Sequence, residues 1–263
     1  MNIFETIASL TNRNHPFVIA TVVETTGSSP GKEHFKAVID RNGLVAGTVG
    51  GGTIEKEVIA RAQQLLGEKS NLLKTYNLSS GPDNLGMQCG GTTTIFYEYI
   101  GARDSVFVFG GGHVSQSLTP LLKSIDFYVT LVENREEFAA RELHPAVDEI
   151  IHSDYNTFIE NTFWEPSAFV VIVTPQHKFE TEILHALFRR AGSLRYIGVI
   201  ASKRKAVNLR KELESVFPGD DRVARIHSPI GLDIGGETPG QIALSIAAQI
   251  QAVRFNKDIA NTS

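Results

Sequence analysis

The sequence predicts an α/β protein in which a strand-rich N-terminal domain precedes a domain built on a doubly wound parallel sheet. Three observations support this fold class. The first hundred residues contain mainly short β-branched runs, whereas from Val106 onward apolar strands alternate with helical segments. Such alternation is typical of a parallel sheet covered on both faces. The chain of 263 residues is also long enough for two domains, which we expect at residues 1–101 and 102–263.

The N-terminal domain is predicted to begin with a helix and to continue mainly in strands. Apolar residues at helical spacing predict an amphipathic helix over Met1–Thr11, and the apolar run Phe17–Thr25 predicts a buried strand. The Asn42-Gly43 pair, between two short apolar runs, is the strongest hairpin signal in the chain. The other elements expected here are a helix (Glu55–Leu66), a strand (Thr92–Ile100) and a linker (Gly101–Ser105).

The C-terminal domain is predicted to consist of alternating strands and helices. Its strand segments are almost wholly apolar, as expected where helices cover both faces of a sheet, and its helical segments carry apolar stripes. The expected strands are Val106–Phe109, Tyr128–Glu133, Phe169–Thr174 and Tyr196–Ile200. The expected helices are Val114–Ile125, Glu180–Ala191, Lys203–Val216 and Pro239–Val253.

Composition argues against several classes of partner and site. The net charge of −4 gives no general attraction to nucleic acid or to an anionic membrane, so neither is an expected partner. A single cysteine excludes an intrachain disulfide and a multi-cysteine metal cage, and it suits a reducing compartment. The N-terminus lacks a signal-peptide pattern and no run is apolar enough to span a membrane, so we expect a cytoplasmic protein.

The segment VFVFGGGHVSQSL contains a strand, a glycine turn and the start of a helix. Gly110 and Gly112 occupy the first two glycine places of a dinucleotide-binding fingerprint, and Ser115 stands in the third. The N–H groups of such a turn, which includes His113, and of the following helix can hold a phosphate. Glu133 ends the next strand, where a carboxylate binds ribose. A Rossmann-like fold with NAD or another nucleotide is therefore predicted; a tight turn without a ligand is the alternative.

Two other segments follow apolar strands, where open α/β sheets bind their ligands. His177 in TPQHKFE is a candidate acid or base, and Lys203 begins a basic triplet that can neutralise a phosphate. The alternatives are a solvated loop histidine and an exposed helix start. No complete catalytic set or metal-ligand spacing accompanies these residues in the sequence, so a binding protein is favoured over an enzyme.

Motifs spread over nearly the whole chain carry a family resemblance. The N-terminal motifs are TGSSPG (Thr26–Gly31), GTVGGGTIEKEV (Gly47–Val58) and GMQCGGTTTIFYE (Gly86–Glu98). The C-terminal motifs are VFGGGHVSQSL, VENREEFA, YIGVIASKRK and the long block IHSPIGLDIGGETPGQIALSIAAQI (Ile226–Ile250). Together they resemble the XdhC/CoxI family, the accessory proteins for molybdenum-cofactor insertion into xanthine dehydrogenase and related hydroxylases.

The resemblance implies a non-catalytic carrier that binds molybdenum cofactor (molybdopterin) and delivers it to a xanthine dehydrogenase-type molybdenum hydroxylase. Molybdopterin carries a phosphate, and glycine loops present the backbone N–H groups that bind such an anion. Cys89 is a candidate soft ligand for the metal. The cofactor-binding residues implied are Ser28, Gly50, Gly51, Gly52, Glu55, Cys89, Gly90 and Gly91 in the first domain, and Gly110, Gly112, His113, Glu133, His177 and Lys203 in the second.

The sequence also departs from the family pattern. Gly31 and Thr53 stand where the family has an arginine and a cysteine, and His34 replaces a glycine. These differences imply a divergent member that handles a related cofactor or a different hydroxylase. Two alternatives to the carrier stay open: a nucleotide-dependent oxidoreductase or cofactor-modifying enzyme that uses the Rossmann-like half, and an interaction module. A cysteine desulfurase and a second copy of the chain, in a homodimer, are further expected partners.

Overall fold

The computed structural model describes residues 2–78 and 90–257, except for the side chain of His177. The chain divides into two compact units, Met1–Ala102 and Arg103–Ser263, so that the division lies one residue beyond the expected one. The predicted fold class is confirmed, because the first unit contains an antiparallel sheet and the second a parallel sheet. None of the helices in the described residues has the length and apolar content needed to cross a membrane.

The N-terminal unit is a five-stranded antiparallel sheet with helices packed against it. Its elements are α1 (Ile3–Asn12), β1 (Phe17–Thr26), β2 (Lys36–Asp40), β3 (Gly43–Gly47), α2 (Gly52–Glu68), β4 (Leu72–Asn77) and β5 (Thr92–Ile100). The strand order is β3-β2-β1-β5-β4. The predicted hairpin is present between β2 and β3, but Asp40 pairs with Gly43, so the two-residue turn is one position earlier than expected. The Asp40 carboxylate accepts the Asn42 N–H at 2.7 Å, which stabilises the turn in that position.

The core of this unit lies between α2 and the sheet. The helix buries an apolar stripe against Val18, Ala20 and Val22 of the central strand β1. Gly52 follows directly after the turn that leaves β3, and α2 therefore starts beside the end of β1. The residues of the stripe are Ile54, Val58, Ala62 and Leu65.

The C-terminal unit is a five-stranded parallel sheet with the strand order β10-β9-β6-β7-β8. Its strands are β6 (Ser105–Phe109), β7 (Tyr128–Glu133), β8 (Glu149–His152), β9 (Phe169–Ile172) and β10 (Tyr196–Val199). Its helices are α3 (His113–Ser124), α4 (Tyr155–Asn161), α5 (His177–Arg190), α6 (Lys203–Val216) and α7 (Pro239–Arg254), with short 3₁₀ turns at Glu136–Phe138 and Val223–Arg225.

Helices cover both faces of this sheet, as the alternating pattern predicts. Buried residues of α3 and α7 form one apolar cluster with the strands, and those of α4, α5 and α6 form a second. Strands β6 and β9 are neighbours although β7 and β8 lie between them in sequence, so the winding of the chain reverses there. Open α/β sheets bind ligands beyond the carboxyl ends of their strands at such a reversal. Gly110 lies at this point, where an added Cβ would meet the Val173 carbonyl oxygen at 2.9 Å.

Candidate functional site

Three glycine-bearing segments of the N-terminal unit form what we call the glycine cluster: residues 27–31, with residues 47–52 and residues 90–91 each lying against them. Gly50 has a φ of +130°, and a Cβ there would lie 2.5 Å from the Gly31 nitrogen. A Cβ on Gly91 would lie 2.6 Å from the Ser28 carbonyl oxygen. Glycine is therefore required for the segments to approach this closely. The fold brings together segments that the sequence separates by as many as 60 residues or so.

Glu55 stabilises the second segment of the cluster from the first turn of α2. Its carboxylate accepts the Thr48 hydroxyl at 2.5 Å and the Val49 N–H at 3.2 Å. The Thr48 hydroxyl oxygen in turn accepts the Gly50 N–H at 3.1 Å. The Glu55 side chain thus stabilises the conformation of the loop by accepting hydrogen bonds from Thr48 and Val49. The sequence predicted instead that Glu55 binds the cofactor.

The cluster leaves backbone donors at the start of α2. The N-cap residue is Gly51, which has no side chain to accept the N–H groups of the first turn, and Gly52 and Thr53 follow it in exposed positions. Unsatisfied N–H groups and the helix dipole favour an anion at such an end. Among the described residues, a Cβ at Gly51 or Gly90 would meet nothing within 4 Å, so this part of the structure leaves space at both positions. Ser28 is exposed beside them.

The structure shows the surroundings of Gly31, which stands where the family has an arginine. Gly31 is buried, and a Cβ at this position would collide with the Val49 carbonyl oxygen. The backbone observed here therefore has no room for the arginine that the family pattern would place there. Cys89, the proposed metal ligand, lies outside the described residues. Within residues 2–78 and 90–257, no three His, Cys, Asp or Glu side chains form a group that could hold a metal ion.

The glycine turn of the C-terminal unit directs its first two N–H groups into its own chain. Gly110 N–H donates to the Val132 carbonyl at 2.9 Å, and Gly111 N–H donates to the Glu133 carboxylate at 2.6 Å. Gly112 is the N-cap of α3, and Ser115 is fully buried, where its hydroxyl donates to the Gly112 carbonyl at 2.8 Å. The small residue at the third fingerprint position thus packs the helix closely, as expected.

Glu133, the predicted ribose ligand, is fully buried and already has hydrogen-bond partners. Arg135 donates its backbone N–H and two guanidinium N–H groups to this carboxylate at 2.8–2.9 Å. Burial raises the pKa of Glu133, but hydrogen bonds from Arg135 and Gly111 outweigh it, and the pKa is lowered overall. His144 Nε2 donates to the Gly111 carbonyl at 3.1 Å, so the turn is fixed at both its amide and its carbonyl. Binding of ribose by Glu133 would require Arg135 to move.

The other predicted residues of this unit begin three different helices. His113 is exposed as the first residue of α3, and His177 is the first residue of α5. Lys203 is exposed as the first residue of α6 and lines a cavity of about 940 Å³ beside the edge strand β10. Ser228, Gly235 and Gly236 line the same cavity. No role was predicted for these three residues from the sequence. They belong to the long block Ile226–Ile250, and the glycines of that block could have indicated a binding loop.

Comparison with known proteins gives matches along nearly the whole chain. Residues 106–250 match the model of the XdhC Rossmann domain, and residues 10–77 match the model of the XdhC and CoxI family. The chain is 31% identical over 258 residues to the uncharacterized protein YqeB of Escherichia coli (strain K12), covering 97% of this chain and 47% of YqeB. It is 26% identical over 163 residues to a probable xanthine dehydrogenase subunit of Bacillus subtilis (strain 168), covering 62% of this chain and 47% of that protein.

The chain therefore spans about half the length of these curated relatives. A solved structure, that of a xanthine dehydrogenase from Bacillus halodurans, aligns with 100% of this chain and 98% of its own, with a TM-score of 0.53 and 23% identity. That similarity shows a shared fold. The family assignment rests on the model of the XdhC Rossmann domain, which matches more than half of the residues of the chain. The chain belongs to the XdhC and CoxI family.

Proposed function

We propose that this protein is an accessory protein of a xanthine dehydrogenase-type molybdenum hydroxylase, binding molybdenum cofactor and delivering it to that enzyme. Family membership and the similarity to the probable xanthine dehydrogenase subunit of Bacillus subtilis support the accessory role. The single observation that carries the binding role is the glycine cluster, in which two glycine segments pack against a third and the start of α2 has no side-chain cap.

The donors of the cluster suit the phosphate of molybdopterin. Gly51 and the first-turn residues Gly52 and Thr53 offer backbone N–H groups at the positive end of α2, and the open space at Gly51 and Gly90 leaves room for a ligand. Neutral donors of this kind bind an anion reversibly, as a carrier that must release its cargo requires. The bound cofactor would supply the molybdenum centre that the hydroxylase uses. In this chain, Glu55 and the close contact of Gly31 with Gly50 keep the loop in its binding shape.

Gly90 offers a sharp test of this proposal. It is exposed, and a Cβ there would meet no atom of the described residues within 4 Å, so these residues leave space for an added side chain. Gly90→Asp places a negative charge beside the cluster, and Gly90→Asn places a neutral side chain of nearly the same size there. The proteins are purified from a host that makes molybdenum cofactor, and the bound pterin is released, oxidised and measured by fluorescence.

We expect wild type to carry pterin, Gly90→Asn to retain most of it, and Gly90→Asp to lose it about tenfold or more, because a like charge close to the phosphate costs more than about 1.4 kcal/mol. Reconstitution of an apo-hydroxylase by the loaded protein tests delivery. Absence of pterin from the wild type, together with no gain of hydroxylase activity on mixing, contradicts the proposal. Equal loss in both variants contradicts the electrostatic basis assigned to the cluster.

A nucleotide-dependent enzyme is the second candidate, and the winding reversal beside Gly110 is the observation in its favour. The internal hydrogen bonds of Gly110, Gly111 and Glu133 weigh against it. Calorimetric titration with NAD and NADP tests it, since a carboxylate at the ribose position favours NAD over NADP. Binding of neither contradicts this candidate and leaves the carrier proposal unaffected.

A further inference from the structure

A cavity of about 940 Å³ lies beside the edge strand β10 of the C-terminal unit, and neither the family match nor the glycine fingerprint accounts for it. Its walls come from the end of β10, the start of α6 and the long block that follows α6. Residues 226–230 run alongside β10, where His227 N–H donates to the Ile197 carbonyl at 2.9 Å and Val199 N–H donates to the His227 carbonyl at 2.9 Å. The wall is thus an extension of the sheet and is held rigidly by backbone hydrogen bonds.

Positive charge predominates on the lining of the cavity, which contains five cationic side chains and one carboxylate, that of Asp233. Two cations are paired with acidic groups outside the lining: Arg222 with Asp220, and Arg225 with Asp221. The others are Arg195, Lys203 and Arg210, and no ion pair to them occurs among the described residues. The local balance therefore favours an anionic occupant.

Hydrogen-bond donors without protein partners lie on the same lining. The Ser228 hydroxyl is buried, with the residue only 9% exposed, and it has no hydrogen-bond partner among the described residues. The backbone N–H groups of Gly235 and Gly236 likewise find no acceptor in the described part of the chain. Buried polar groups are nearly always hydrogen-bonded, so the unpaired Ser228 hydroxyl points to a partner from outside the protein. Hydroxyl and backbone N–H groups together with a lysine are the usual ligands of a phosphate.

The lining also includes an aromatic ring pair and aliphatic side chains. The His227 ring stacks on the buried Tyr196 ring, with centroids 4.8 Å apart and an interplanar angle of 18°. Burial, with a smaller contribution from Arg210, lowers the pKa of His227, so the imidazole is neutral at pH 7. Ile200, Ile230 and Ile242 add apolar surface. A neutral ring and aliphatic side chains suit a planar heterocycle, and the volume falls within the range of ligand pockets.

We infer that this cavity binds a small phosphorylated heterocycle, with Lys203, Ser228 and the N–H groups of Gly235 and Gly236 binding the phosphate and the apolar wall binding the ring. Two sources share this chemistry, a nucleoside monophosphate and a pterin monophosphate. The inference goes beyond the proposed function, because the cavity lies in the C-terminal unit and the glycine cluster lies in the other.

The test is calorimetric titration of the full-length protein with AMP, a pterin monophosphate, adenosine and inorganic phosphate. Lys203→Ala removes the exposed lysine of the lining, and Lys205→Ala removes an exposed lysine two positions further along the same helix that does not line the cavity. Ala201→Trp places a large ring in the cavity from a position on its lining. Unchanged thermal unfolding verifies that each variant is folded.

We expect one monophosphate to bind the cavity at one site per chain, more tightly than adenosine or inorganic phosphate, with binding of the pterin at the glycine cluster counted separately. The Kd should rise about tenfold or more in Lys203→Ala, because a hydrogen bond to a charged group is lost, and by less than about twofold in Lys205→Ala. Ala201→Trp should abolish binding at the cavity, and any binding of the pterin that survives this substitution belongs to the glycine cluster. Preference for AMP or for the pterin at the site that Ala201→Trp blocks identifies the source. Failure of every probe to bind at a site that Ala201→Trp blocks overturns the inference, as does equal weakening by Lys203→Ala and Lys205→Ala.

Discussion

Replacement of Glu133 by glutamine tests whether this carboxylate stabilises the glycine turn or binds a ribose. The substitution keeps the side-chain shape, removes the charge and converts one acceptor oxygen into an N–H₂ donor. One carboxylate oxygen accepts N–H groups of Gly111 and Arg135, and the other accepts two N–H groups of Arg135. Whichever oxygen is replaced, at least two N–H donors then face another donor.

The expected loss of stability follows from these contacts. A buried ion pair broken on one side costs about 3–5 kcal/mol. The lower end applies here, since the Arg135 side chain is 31% exposed and can turn toward water. We therefore expect a loss of about 3 kcal/mol, which lowers the Tm of a unit of this size by about 6–12 °C.

The single tryptophan of the chain makes the assay specific to the C-terminal unit. Trp164 is buried in the apolar cluster of that unit, with its ring 4.9 Å from that of Phe107, so its fluorescence reports unfolding there. Glu142→Gln is the matched control, because Glu142 is exposed on the segment that follows β7. The control should change the Tm by less than about 2 °C.

The pH dependence provides a second check of the same reasoning. The pKa of Glu133 in the folded protein lies below its ordinary value of 4.5. Its ionised form therefore stabilises the folded state above about pH 4.5, and this stabilisation is lost as the pH falls through the lowered pKa. The difference between wild type and Glu133→Gln should be largest near neutral pH and should shrink below pH 4.5. A variant as stable as wild type that has lost affinity for NAD would refute the structural role and support the ribose role.

Three further substitutions test packing in the two units. Gly50→Ala should destabilise the N-terminal unit by more than about 1 kcal/mol, because its backbone has a positive φ and its Cβ would collide with the Gly31 backbone. Gly67→Ala should stabilise the unit by about 0.5–1 kcal/mol, because Gly67 lies in α2 and its Cβ would meet no described residue within 4 Å. Hydrogen exchange of the N-terminal unit measures both, and equal effects would refute the argument. Tyr97→Phe should lower the free energy of unfolding by about 1–2 kcal/mol, because it leaves the buried Tyr76 hydroxyl, now 2.6 Å from the Tyr97 hydroxyl, unpaired. The variant with phenylalanine at both positions should lose less stability than the sum of the losses in the two single variants. Gly198→Ala should lower the C-terminal Tm, since its Cβ would collide with the buried side chains of Tyr196 and Ile230, and an unchanged tryptophan transition would contradict this.

The sequence predicted the elements whose signal is local. The strand over Thr92–Ile100 was confirmed at both ends, and the amphipathic helix and the alternating strands of the second unit were confirmed with small shifts. It did not predict β4, β8 or α4. Strand β4 exposes most of its side chains, including Leu73 at 62%, and pairs only with β5, so it has no apolar pattern of its own. Strand β8 is four residues long and α4 seven, too short for periodicity to be detected.

The sequence by itself determined the fold class, the order of most elements and the family, because hydrophobic periodicity and glycine-rich motifs depend on residues close together in the chain. Only the tertiary structure decided which side chains and backbone N–H groups of these motifs are available to a ligand. Glu133, predicted from its place at the end of a strand to bind ribose, is buried and paired with Arg135, and Lys203, Ser228 and Gly235 line one cavity. The physical reason is that contacts between segments distant in sequence determine which polar groups are already hydrogen-bonded and where a cavity forms. The spacing of residues along the chain does not specify these contacts.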